Sequence, residues 1–261
     1  MSQPSSPQLS SPAYRIAALD HDFLLSRDMR GVRFLLEYEK ADRALLAHRI
    51  VSSIVVFGSA RIRENGPPQQ ARWYAEARTF GRIASERGGA LAPEGQPRFN
   101  VIATGGGPGA MEAANRGARD AGAPTVGFNI RLPEEQEPNP YTTPELTFQF
   151  HYFAMRKMHL AMRANALVVF PGGFGTLDEL FEILTLRQTR KARLIPIVLF
   201  AEAYWRSIIN FDALATNGMI EAEDLKLFRF AESAEEAWTA LTAQGIGDVR
   251  DLNDEDLARD M

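Results

Sequence analysis

Two glycine-rich stretches carry the residue types from which chemistry can be built. The first, Pro171-Gly-Gly-Phe-Gly-Thr176, ends an apolar run (Ala166 to Phe170) and opens a helix-like segment holding Asp178, Glu179 and Glu182 among its leucines. Glycines expose backbone amides, Thr176 offers a hydroxyl, and the positive end of a helix favours a dianion. No lysine follows the glycines, so this is not a Walker loop. Thr176-x-x-Glu179 also has capping-box spacing, in which the two side chains close the helix start. Spacing alone leaves capping and catalysis both open for Glu179 and makes Asp178 surface, with Glu182 the other acid to consider.

The second stretch is Thr104-Gly-Gly-Gly-Pro-Gly109. Gly105, Gly107 and Ala110 satisfy G-x-G-x-x-A between a strand and a helix. A dinucleotide fingerprint also needs an acid about 20 residues on, and Pro124 to Asn129 has none, which argues against NAD. What remains is either a set of bare amides that can approach a phosphate or ribose, or a tight strand-to-helix turn. A helix predicted over Phe153 to Ala164 adds Arg156, Lys157, His159 and Arg163. The last three are expected on a solvated basic face. Arg156, near the helix N-terminus where a cation opposes the dipole, asks for a bound anion or a buried carboxylate.

Composition narrows the chemistry. There is no cysteine, which removes disulfides, thiolate nucleophiles and cysteine-held metals and suits a cytoplasmic location. Four histidines show no zinc-hydrolase spacing, so no metal is expected. A net charge of −4 gives no field to gather nucleic acid, and no apolar run is long enough for a membrane span. The Ser-, Pro- and Gln-rich start, Met1 to Pro12, is expected to be a tail and not a signal peptide.

These residues need a scaffold. Apolar strands are predicted at Ser53–Phe57, Asn100–Thr104, Thr125–Phe128, Leu146–Phe150, Leu167–Phe170, Leu194–Phe200 and Lys226–Phe230. Helices are predicted at Asp20–Arg49 (with Gly31 a possible break), Gln69–Arg87, Ala110–Ala121, Phe153–Ala164, Thr176–Arg187, Ala203–Leu214 and Ser233–Ala243. The alternation predicts an α/β fold: a doubly wound, Rossmann-like parallel sheet with helices on both faces, as a single domain. The expected boundaries are a flexible tail over 1–19, a helical extension over 20–50, the Rossmann-like domain over 51–245 and an acidic tail over 246–261. A Pro- and Glu-rich loop is expected over Arg131 to Pro144. Ligands of such sheets sit outside the strand carboxyl ends, where Gly58-Ser59 and both glycine stretches fall.

Pro171-Gly-Gly-x-Gly-Thr176-x-x-Glu179, preceded by Met155-Arg156-Lys157, resembles the Lonely Guy (LOG) phosphoribohydrolases, often labelled lysine decarboxylase-like. Thr104 to Gly109 and Phe57-Gly-Ser-Ala60 also look like that family's pattern, and the resemblance covers about Ser53 to Leu214. The segment through Met111 and the N-terminal helix look like its longer bacterial branch. The resemblance implies hydrolysis of the N-glycosidic bond of AMP or a cytokinin riboside 5′-monophosphate, with no cofactor. It makes Arg156 and Glu179 the catalytic pair. Substrate would be held by Ser59, Gly105, Gly106, Gly107, Lys157, Gly172, Gly173, Gly175 and Thr176. Arg156 would keep Glu179 ionised, or touch the phosphate or the leaving base. The resemblance also implies a homodimer or a larger oligomer built from dimers. The rival reading is a nucleotide sensor without turnover; a pyridoxal-dependent decarboxylase is set aside, because it needs a Schiff-base lysine and Lys157 is the one plausible candidate of four.

Overall fold

The computed structural model describes residues 6–132, 137–191 and 195–246. The chain forms two compact units, Met1–Lys40 and Ala41–Met261. In the first, α1 (Pro7–Ser10), α2 (His21–Leu25) and three 3₁₀ turns lead into α3 (Arg30–Ala47), whose last turns belong to the second unit. Aspartate 20 caps α2, and the Arg33 guanidinium donates to the Leu24 and Ser26 carbonyls. The helical run predicted from Asp20 is therefore interrupted at Ser26–Met29 and not at Gly31, which is helical.

In the second unit β1 (Ser53–Phe57) and α4 (Pro68–Arg87) are followed by β2 (Val101–Thr104), α5 (Ala110–Asp120), β3 (Val126–Ile130) and β4 (Thr147–Phe150). Then come α6 (Phe153–Met162), β5 (Ala164–Val169), α7 (Phe174–Gln188), β6 (Ile197–Phe200), α8 (Glu202–Ile208), α9 (Phe211–Thr216), β7 (Arg229–Ala231) and α10 (Ala234–Thr242). The helix predicted over Ala203 to Leu214 is two helices: Ile209 is extended, and the Asn210 side chain caps α9 by accepting from the Ala213 N–H. The residues of the acidic tail from 247 on, and 133–136 of the Pro- and Glu-rich loop, lie outside the described residues.

All seven strands pair in parallel in the order β4-β3-β2-β1-β5-β6-β7. Successive residues of a strand point to opposite faces, so each buried strand feeds two cores. Val55, Phe57, Leu167 and Val169 join Leu160 of α6, Leu180 of α7 and Trp205 of α8. Ile54, Val56, Ala166 and Val168 join Phe80 of α4, Ala114 of α5 and Trp238 of α10. This is the doubly wound sheet that the sequence predicts. The chain winds outward from β1 to β4 and returns to β5 beside β1, so the strand order reverses between β1 and β5. No helix among the described residues is long and apolar enough to cross a membrane.

Candidate functional site

The carboxyl ends of β2, β1 and β5 are neighbours, and each runs into one of the three glycine turns. Between them opens a cleft of about 910 Å³, at the switch point where such sheets bind ligands. Ser59, Gly105, Gly107, Arg156, Gly172, Gly173, Gly175 and Thr176 line it. Gly106, Lys157 and Glu179 do not line it, although the sequence groups them with the others. Among the described residues its charged lining is Arg61 and Arg156, with no carboxylate. In a protein of net charge −4, that is a local field suited to an anion.

Backbone bonds knit the turns together. The Ser59 N–H donates to the Pro171 carbonyl (2.9 Å), and the Tyr204 hydroxyl donates to the Gly172 carbonyl (2.7 Å). Beneath the Gly105–Gly109 turn lies a buried polar network. The Thr104 hydroxyl donates to Asn115 Oδ1 (2.7 Å) and accepts from the Gly106 N–H (2.9 Å). Asn139 Nδ2 donates to the Gly107 carbonyl (3.1 Å) and to Asn115 Oδ1 (3.0 Å). Asn115 in turn donates to the Thr125 hydroxyl at 2.6 Å. Such a satisfied network fixes a turn's shape. Sequence reasoning missed Asn115, Asn139, Asn129, Trp73 and Tyr204, the last three lining the cleft. The one available signal was polar residues inside otherwise apolar segments.

The capping box does not form. Helix α7 starts at Phe174, with Gly173 as its N-cap and no side-chain cap. Thr176 lies inside the first turn, and the N–H groups of Thr176 and Leu177 donate to the Gly173 carbonyl. Because the helix begins two residues before Thr176, its hydroxyl cannot act as the N-cap; Thr176 lines the cleft, with its side chain packed against Gly172. Glu179 points elsewhere. It is 3% exposed, and its Oε1 accepts from Arg156 Nη2 at 2.8 Å. Burial pushes its pKa above the usual glutamate value, against the pull of Arg156 and Lys157, while Glu182 pushes the same way as burial. Arg156 thus has the buried carboxylate partner its position asks for, and its guanidinium also lies 5.2 Å from the Phe153 ring centre. It stands between Glu179 and the cleft, touching both.

The solvated basic face is also corrected. Lys157 Nζ lies 2.7 Å from Asp178 Oδ2 and 2.7 Å from Glu182 Oε2. Arg163 pairs with Asp42 at 2.7 Å. His159 is buried and stacks on Phe128, with Phe150 beside it. Helix α6 is packed inward here, and its cations meet acids and aromatics from distant segments. Burial works against the charge on Lys157, but its hydrogen bonds to Asp178 and Glu182 prevail and hold its pKa above the usual lysine value. Of the aromatic and methionine side chains near α6, Phe128 and Phe150 belong to the core, Met155 packs against it and Phe153 is exposed; none of the four lines the cleft. Among the described residues no group of three or more His, Asp or Glu is placed to hold a metal ion.

A parallel, doubly wound sheet with glycine turns and an arginine pair around its switch point defines the class: an α/β protein with a cationic cleft. The model of the family described as possible lysine decarboxylase matches residues 111–241, half of the chain. The chain belongs to that family, the LOG family. It is similar to a probable cytokinin riboside 5′-monophosphate phosphoribohydrolase of Oryza sativa subsp. japonica, 28% identical over 147 residues, 55% of this chain and 63% of that one. A cytokinin riboside 5′-monophosphate phosphoribohydrolase of Arabidopsis thaliana is 33% identical over 82 residues, 31% of this chain and 38% of that one. The chain thus spans less than two thirds of the length of these curated relatives. Among solved structures, the structural-genomics protein TM1055 superposes with a TM-score of 0.53 at 22% identity, covering 74% of this chain and 99% of that one. The molybdenum cofactor binding protein of the phototrophic bacterium Rippkaea orientalis superposes at 0.50 and 19%, covering 74% and 96%. At those identities the likeness concerns the fold.

Proposed function

We propose that the protein hydrolyses the N-glycosidic bond of a nucleoside 5′-monophosphate, AMP or a cytokinin riboside 5′-monophosphate, to the free base and ribose 5-phosphate. The observation that carries this reading is the buried Arg156–Glu179 pair beside the uncapped first turn of α7 in a cleft lined by arginine and not by acid. The first N–H groups of a helix lack intrahelical partners, and here Gly173, Phe174 and Gly175 present them at the cleft. They would seat the phosphate, with Thr176 and Ser59 as hydroxyl partners and Gly105 and Gly107 beside the ribose.

In the reaction the C1′–N bond breaks and its electron pair leaves with the base. Positive charge gathers on the ribose, and a water oxygen then bonds C1′ while the water's proton goes to the base. Glu179 stabilises the oxocarbenium charge and orders the water. Arg156 moves with substrate, from Glu179 toward the phosphate or the base, uncovering the carboxylate. The names of the plant relatives support this reading.

The decarboxylase description does not fit the residues. A Schiff-base lysine must be neutral and must reach its cofactor, yet none of the four lysines lines the cleft and Lys157 is held as a cation. A second reading, a nucleotide sensor without turnover, is favoured by one observation: Glu179 does not line the cleft. Chromatography after incubation with AMP separates the two readings. Adenine and ribose 5-phosphate are expected. Binding without product, seen as quenching of Trp73 (the one cleft-lining tryptophan of three), would leave the sensor. We also propose a homodimer or an assembly of dimers, which light scattering would show as a mass of at least two chains.

A further inference from the structure

Behind Arg156 lies a second charged group that the reaction as written does not use. Lys157 is the next residue on α6, its side chain is 18% exposed, and its ammonium is clamped between Asp178 and Glu182 of α7. Glu182 stands three residues after Glu179, so the two carboxylates share one face of α7. Together with Lys157 they line a small cavity whose other walls are apolar: Val55, Phe57, Leu160, Leu167, Ile183 and Ile195 among them. The charged groups facing Glu179 are therefore Arg156 and Lys157 from α6 and Glu182 from its own helix, and the strands contribute none.

We propose that Lys157, bridged to Glu182 and Asp178, sets the ionisation of Glu179 together with Glu182, and that Lys157 is a positioning residue which does not touch substrate. The inference rests on Glu179 being the catalytic carboxylate. Glu179 and Lys157 are largely buried, so the charge between them is felt more strongly than at the surface, while the half-buried Glu182 is partly screened by solvent. With Lys157 present, the negative charge of Glu182 is neutralised where it would otherwise repel Glu179. Removing the cation leaves two carboxylates on one helix face, which favours the proton on Glu179. Removing Glu182 instead leaves Lys157 paired with Asp178 and takes away the carboxylate that repels Glu179.

The test uses Lys157→Met, Glu182→Gln and the double variant in the full chain. Two readouts are followed: the carboxyl carbon resonance of Glu179 against pH, assigned by its loss in Glu179→Gln, and the acid limb of kcat/KM for AMP. Lys157→Met should move both upward by about one pH unit, a tenfold change in proton affinity. Glu182→Gln should move both downward, and the double variant should return close to the wild type. Shifts of the same sign, or an unmoved Glu179 titration in Lys157→Met with a raised KM, would overturn the proposal and return Lys157 to the substrate. If Lys157→Met does not fold, the sign of the Glu182→Gln shift decides alone. If the wild type turns over no nucleotide, the proposed reaction fails, while the carboxyl titration still tests the charge pair.

Discussion

The two glycine turns look alike in sequence and differ in what their glycines are for. After β2, Gly106 (φ +68°) and Gly109 (φ +77°) have backbone angles that side chains rarely adopt, and a methyl group on either would collide with Asn129 or with the Ser59 carbonyl. After β5, Gly173 is extended, and a methyl on Gly173 or Gly175 would meet nothing within 4 Å. The first turn is bare because the fold is crowded there. The second is crowded at Gly172, where a methyl would meet Thr176, but open at Gly173 and Gly175, and on the proposed function it is those two positions that a bound phosphate would use. Counting glycines does not distinguish these cases; asking what fills the space beside each one does.

Substitutions can break or sharpen that contrast. The largest stability effect is expected at Gly109→Ala, where backbone strain and overpacking add to about 2–5 kcal/mol. That would lower the melting temperature by roughly 4–20 °C, or prevent folding. A wild-type melt would mean the β2 turn is not the packed one.

A smaller effect, visible as a pH dependence, is expected at Glu179, on the helix behind the open turn. Burial lifts its native pKa above the ordinary 4.5, so the native state holds that proton more tightly than the unfolded chain does. Its contribution to stability is complete below the ordinary value and is lost as pH rises through the native one. Melting temperatures of wild type minus Glu179→Gln should therefore fall across that interval, and a difference that rises with pH would contradict the assignment. The smallest stability effect belongs to Gly173→Ala, which exchanges a good N-cap residue of α7 for a poor one at a cost of about 1 kcal/mol or less. Its AMP affinity, followed by Trp73 fluorescence, should nevertheless drop about tenfold or more, some 1.4 kcal/mol of binding. Unchanged affinity would remove the phosphate seat from this turn.

Much of the sheet was legible in the sequence because a strand buried on both faces is a short, continuous apolar run. Ser53–Phe57 is the plainest case, found where predicted. Boundaries were less legible: β5 begins at Ala164, three residues before the predicted start, because small residues there pair with β1. The glycine turns and the Arg156–Glu179 pairing of types were visible, while their neighbours were not. Lys157 and Arg163 look like a solvated face because their partners, Glu182 and Asp42, are 25 and 121 residues away. Likewise Asn139 reaches the Gly107 carbonyl across 32 residues. Local spacing reports local geometry, so it offered Thr176 as a cap and could not reveal that α7 starts at Phe174.

In the proposed reaction Glu179, held by Arg156 beside the open turn, cleaves the N-glycosidic bond of a nucleotide seated there. The most direct measurement is product formation from AMP by wild type and Glu179→Gln under conditions where both bind the nucleotide. Adenine and ribose 5-phosphate are expected from the wild type, and at least a hundredfold less, on the order of 3 kcal/mol of lost transition-state stabilisation, from the variant. Equal turnover by the two proteins would contradict that role of Glu179.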